Sequence, residues 1–267
     1  MVTKPFNLKP KGIFKLFNSF KFFSKNLYCF PAKSTSNLAE LRKDIIEIAY
    51  SINIDYLVFS DFDDTYAENR ITEVYSSIES FDCAFNDFFI VDSSLDKIYK
   101  DSFYNLSNCN TSLSSVSQLL NKNYIGLGSM ALNLRKFPYD KVKLPKYVRA
   151  FDWFLVSYVL LKGGTCSFLK NTYANYRQHN DSYVGSVNEL DEDKLSHGID
   201  VKIAHYKAFA SSCSIFNGLL SDMVALKKYL SSHGTDDYIS RVNKIFRNKF
   251  PCWWENVLTL DELNEAY

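Results

Sequence analysis

Asp61-Phe62-Asp63-Asp64 puts three carboxylates within four residues, directly after an apolar run. Their mutual repulsion disfavours the ionised state unless a cation or strong hydrogen-bond donors stand close. Hard oxygen donors of this kind suit Mg²⁺ or Mn²⁺, an ion that takes one or two protein carboxylates and completes its shell with phosphate oxygens and water. The chemistry implied is the handling of a phosphorylated substrate. A solvated acidic turn at the amino end of the next helix is the plainer alternative. Asp152 opens a second apolar run, where it serves either as a general base or as a helix cap. Arg177 and His179 stand two residues apart in a loop-like stretch and suit, respectively, a phosphate contact and a contact to a metal or a diphosphate.

These residues need a framework, and the chain is long enough to supply one. Its 267 residues are 46% hydrophobic and 23% charged, which excludes disorder and provides for one substantial core. Thirty-one basic residues balance 30 acidic ones, so the charge pattern is not that of a nucleic-acid binder. The balance is uneven along the chain, because residues 1–34 hold seven Lys and no acid. Apolar positions at helical spacing within residues 1–26 suit either peripheral contact with an anionic membrane or packing on the domain. The run 12–23 is interrupted by Lys15 and Lys21 and lacks a cleavage site, so it does not read as a signal peptide. The next apolar run, 153–161, is too short to span a bilayer. Six Cys without a C-x-x-C pair indicate neither a zinc site nor a disulfide framework and fit a reducing cytoplasm.

Patterning predicts a strand at 27–30, a helix over 37–51 capped by Ser36 with Leu38, Leu41, Ile45, Ile48 and Ala49 on its apolar stripe, and a strand at 54–60 apolar enough to be covered on both faces. A helix at 68–78, a strand at 83–91, a Ser/Asn-rich loop at 103–117 and a strand and turn at 122–134 follow. Then come a buried helix at 151–161, a strand at 165–169, an acidic linker at 186–195 and a helical tail. His197, His205 and His233 fall in that tail and receive no role. Trp253 and Trp254 read as tail packing or membrane-edge contacts. Alternating strands and helices imply an α/β sheet whose ligands bind beyond the carboxyl ends of the strands, where the acidic turn sits.

Asp61, Asp63 and Thr65 resemble the first motif of haloacid-dehalogenase-type phosphatases, which implies Asp61 as nucleophile and Asp63 as general acid, but the partner motifs of that family have no counterpart in a fitting position. More of the chain resembles the family 2 glycosyltransferases, in particular the bacterial rhamnosyltransferase-like group. Arg42, Ile46 and Ala49 fall in its helix pattern, and residues 56–64 with Asn69-Arg70-Ile71 resemble its Asp-x-Asp strand and turn. Residues 123–133 resemble its acceptor-side turn and strand. Phe151-Asp152-Trp153 and Tyr176-Arg177-Gln178-His179 resemble its Asp-Trp helix and Tyr-Arg-x-His segment, in the same order.

The resemblance implies a GT-A-like (Rossmann-like) mixed α/β sheet flanked by helices over residues 35–185, after a basic segment 1–34 and before a linker and helical region 186–267. It implies a metal-assisted, inverting transfer of a sugar from a nucleotide-sugar donor to a saccharide or lipid-linked acceptor, in the cytoplasm or at the inner face of the membrane. Asp152 would be the general base, Asp63 and His179 metal ligands, and Arg42, Asp61 and Arg177 donor contacts, with Mg²⁺ or Mn²⁺ as cofactor. Sixty residues precede Asp61, fewer than the nucleotide-cradling opening unit of that family occupies, so a noncatalytic partner that keeps the sheet is the second reading.

Overall fold

The computed structural model describes residues 37–107, 111–178, 189–246 and 254–266. The basic amino segment, the expected strand at 27–30, His179 and Trp253 lie outside them. Helix α1 (Leu38–Ser51) opens on Asn37 rather than Ser36: the Asn37 side chain accepts from the Glu40 N–H at 2.9 Å and Glu40 reaches back to the Asn37 N–H, a capping box. The buried stripe of α1 is Ala39, Ile46 and Ala49, whereas Leu38 and Ile45 are exposed. This face differs from the expected one, and its spacing brings Arg42 into line with it.

Strand β1 (Tyr56–Val58) is shorter than its apolar run and only half-buried, because it ends the sheet and pairs on one side alone, antiparallel to β5 (Met130–Asn133). Between these two come β2 (Thr65–Tyr66), α2 (Arg70–Ser77), β3 (Cys83–Val91), α3 (Phe103–Ser107) and β4 (Ser112–Leu113). After β5 follow α4 (Phe151–Leu161), β6 (Cys166–Arg177), α5 (Glu192–Phe209), α6 (Ser214–His233), α7 (Asp236–Phe246) and α8 (Leu260–Ala266). The fold is a mixed α/β one: among the described residues six strands take the order β1-β5-β3-β6-β2, with β4 also on β6. Among the described strands only β3 and β6 run parallel, in register from Cys83 opposite Cys166 to Val91 opposite Arg177 with a slip after Asn86. The strand expected at 165–169 therefore continues to Arg177, and the stretch expected as a loop at 103–117 contains α3 and β4.

The core joins both ends of the described chain, from Ala39 in α1 to Leu263 in α8. Helix α4 is apolar on nearly every side and lies within it. Its Trp153 is fully buried, donates Nε1–H to the Leu119 carbonyl at 2.8 Å and stacks on His205 of α5 at 3.6 Å between ring centres. Truncating such a residue costs about 3–5 kcal/mol. With α4 anchored in this way, the residue at its first turn, Asp152, is held in place. Among the described residues no helix is long and apolar enough to cross a membrane.

Candidate functional site

Strands β1 and β2 lie at opposite ends of the sheet order, yet only residues 59–64 connect them. Four inter-strand gaps of about 4.8 Å separate the two strands along a flat sheet, so the connection must cross the strand ends on a short path, helped by curling of the sheet. That path is the acidic turn. Its two ends are tied by hydrogen bonds: the Asp61 N–H donates to the Tyr66 hydroxyl at 2.9 Å, and the Asp64 carboxylate accepts from the Arg177 N–H, also at 2.9 Å, at the end of β6. Asn175 of β6 donates to the Thr65 hydroxyl at 3.0 Å. Buried Arg70 backs the turn, with its guanidinium 4.3 Å from the Tyr66 ring centre and its Nε donating to Asn86 at 3.1 Å.

The turn opens onto a cavity of about 630 Å³ lined by Asp61, Asp63, Asp64, Asp152, Arg42 and Arg177, among others. Five of the six residues singled out in the sequence thus share one cavity, although they come from α1, the β1–β2 connection, α4 and β6. The sixth, His179, follows β6 by two residues and lies outside the described chain.

The carboxylates feel one another. Burial raises the pKa of Asp61, Arg42 opposes the rise, and Asp63 and Asp152 add to it. Burial also pushes Asp64 up to about 6, against the Arg177 N–H bond and with Asp61 and Asp63 reinforcing the shift. The Tyr176 hydroxyl, raised first by burial and then by Asp64, Asp61, Asp63 and Asp152, stays protonated and is a neutral donor in the field of all four acids. Asp152 accepts from the Trp153 N–H at 2.9 Å, and Ala150 ahead of it provides no side-chain cap. Asp152 therefore stabilises the start of α4 and belongs to the carboxylate group at the same time.

The opposite wall of the acidic group is the turn before β5. A Cβ at Gly128 would lie 3.1 Å from Asp64 Oδ2, 3.2 Å from Asp61 Oδ2 and 3.3 Å from the Tyr66 hydroxyl. Glycine at 128 leaves three oxygens facing a gap about as large as a methyl group. Among the described residues no three His, Cys, Asp or Glu side chains form a cluster that would hold a metal unaided. The donor set instead fits an ion that takes one or two carboxylates and relies on phosphate oxygens for the rest. Asp61 and Asp64 meet at Gly128, and Asp63 shares their field. Arg177, whose buried Nε makes no hydrogen bond among the described residues, adds a charged donor for phosphate.

Several lining residues received no role from the sequence: Asp64 beyond its place in the acidic run, Tyr176, Lys146 and Arg149 ahead of α4, His197 of α5, and Trp254. His197 and Val201, one helical turn apart, line the cavity together, so helical spacing held a usable signal. Trp254, expected as tail packing or a membrane-edge contact, is buried and lines the cavity. No protein-family model matches the chain, and no curated protein matches it either.

Proposed function

We propose that the chain is a metal-assisted, inverting glycosyltransferase of GT-A type, moving a sugar from a nucleotide-diphosphate donor to a saccharide or lipid-linked acceptor. The observation that carries this reading is the meeting of the acidic turn, Asp152, Arg42 and Arg177 in one cavity. The mixed sheet with the acidic turn across its strand ends supports the same reading. A bound Mg²⁺ or Mn²⁺, held by Asp63 with Asp61 or Asp64, would neutralise charge on the diphosphate. Arg177 and Arg42 bind and orient that diphosphate and the rest of the donor. Asp152 accepts the proton of the acceptor hydroxyl as its oxygen bonds to the anomeric carbon and the bond to the diphosphate breaks, a single displacement that inverts the centre. Half-buried Tyr176 offers a neutral hydroxyl to the same region.

The test is titration of the purified chain with UDP, GDP and dTDP, with and without Mn²⁺, followed by a transfer assay with the sugar nucleotide that binds. Asp63→Asn should weaken metal-dependent nucleotide binding. Asp152→Asn should leave nucleotide binding intact and reduce transfer by about 10²–10⁴, as expected for the loss of a positioned base. A phosphatase would depend on Asp61 and ignore Asp152. Absence of nucleotide binding with every diphosphate would reject the transferase and favour the noncatalytic partner.

A further inference from the structure

The cavity has a second charged region that the acidic turn does not account for. Lys146 and Arg149, from the segment leading into α4, and His197 of α5 line it. The cations that act most on Asp61 are Arg42 and Arg70, and Asp64 feels Arg177 and Arg70. Lys146 and Arg149 are not among the cations that act most on Asp61 and Asp64. Arg149 acts on His197 instead, and shares Asp200, at 3.3 Å, with Lys227, at 2.8 Å. Lys207 adds its ammonium 5.0 Å from the Tyr147 ring centre. One carboxylate, Asp200, is thus shared by two of these cations.

We propose that this wall binds an acidic group, a carboxylate or a phosphate, on the acceptor. The designation as acceptor rests on the transferase reading above: Lys146 and Arg149 precede Asp152 by six and three residues, so a hydroxyl brought to Asp152 has the rest of its molecule beside them. Covering exposed Lys146 and Arg149 with a neutral sugar would strip water from two cations and add no charge in its place, leaving Arg149 only the Asp200 it shares with Lys227. An anion replaces that water with charge-assisted hydrogen bonds to both side chains and to His197.

The test measures binding to the full chain, without nucleotide, of three probes: methyl β-D-glucuronide, α-D-glucose 1-phosphate and neutral methyl β-D-glucoside. At least one anionic probe should bind about tenfold or more tightly than the neutral glycoside, and the Lys146→Gln/Arg149→Gln variant should bring the two within about twofold. Raising NaCl from about 50 to about 500 mM should weaken the anionic probe alone, a check that needs no variant. Preference for the glucuronide identifies a sugar acid, and preference for the 1-phosphate a phosphate such as that of a lipid-linked acceptor. The inference is overturned if the neutral glycoside binds as tightly, if no probe binds, or if the preference survives in the double variant and is lost in Arg177→Gln, which would seat the anion at the donor residues. Nucleotide binding without anionic preference removes this inference alone. Anionic preference without nucleotide binding removes the transferase and leaves an anion site.

Discussion

Asp64 should be a residue that the fold would be more stable without. Burial beside Asp61 and Asp63 moves its carboxyl from the ordinary 3.8 up to about 6. At about 1.36 kcal/mol for each tenfold change in proton affinity, that displacement corresponds to no more than about 3 kcal/mol. Asp64 is only partly buried, and solvent screening reduces the figure to about 1–1.5 kcal/mol. The folded pKa lies above the unfolded one, so the folded state holds the proton more tightly. No penalty exists below pH 3.8, where both states are protonated, and it accumulates as pH rises from there through about 6. Asp64→Asn keeps an oxygen to accept the Arg177 N–H and removes the charge. At pH 7 the variant should be more stable by about 1–1.5 kcal/mol, a rise in Tm of a few degrees for a chain of this size. Thermal and urea melts of both proteins from pH 4 to 7.5 should show the advantage shrinking as pH falls below about 6 and vanishing near 4. Saturating Mn²⁺ with nucleotide should favour the parent protein and reverse the order. Equal or lower stability of the variant at pH 7 would mean that the Arg177 contacts already compensate the buried charge, and the argument for an acidic turn awaiting a cation would lose its footing.

Gly128→Ala should leave stability within about 1 kcal/mol, because the smaller unfolded-state entropy of Ala offsets the crowding, yet it should weaken Mn²⁺-dependent nucleotide binding about 10–100-fold. The added methyl group meets oxygens of Asp61, Asp64 and Tyr66 at 3.1–3.3 Å, so unchanged affinity in a nucleotide titration would show that this spacing is immaterial. His197 should titrate below its ordinary 6.5, since burial and then Arg149 disfavour the imidazolium and Asp200 only partly opposes them. A histidine-resolved NMR titration that places it at or above 6.5 would contradict this environment, and an anionic probe bound on the same wall should move it upward.

Much of the framework was legible because apolar pattern and cap chemistry act locally. Helix α4, β3 and the tail helices announce themselves by period and composition; Asp61, Asp63, Asp152 and Arg177 were marked by residue type at element ends, and Arg42 by a helix pattern resembling that of the glycosyltransferases. The apolar face of α1 was misjudged except at Ala49, because Leu38, Leu41, Ile45 and Ile48 outweigh Ala39 and the lone Ile46 in hydrophobicity, while Ala39, Ile46 and Ala49 form the buried side. A polar Arg42 on the truly buried stripe was the informative departure, since an arginine on such a face needs a charged partner, and Asp61 supplies it. The run at 54–60 looked like a central strand because side-chain composition reports burial but not pairing. Its place at the sheet end is set by β5, which lies more than 70 residues away.

The part of the site that sequence patterning left unseen depends on contacts between distant segments. Trp254 lines the cavity, and the neighbouring Glu255 accepts the N–H of Asn123, another lining residue, at 2.9 Å. Lys202, fully buried in α5, donates to the Val257 carbonyl at 2.6 Å. Burial lowers its pKa to about 8, and Glu262 and Glu255 resist the shift. Gly198 of the same helix admits this segment so closely that a Cβ there would lie 2.7 Å from Val257. A buried ammonium with two carboxylates in its field is expensive to assemble and leaves few alternative arrangements once formed. The carboxyl-terminal segment is consequently fastened to the 121–128 stretch that ends in Gly128, which makes it a wall of the site. An acidic turn needs its opposing surface at a fixed distance if it is to hold an ion with few protein ligands. Here that distance depends on Gly128, whose turn is braced through Asn123 by Glu255, a residue that no local pattern connects to the aspartates.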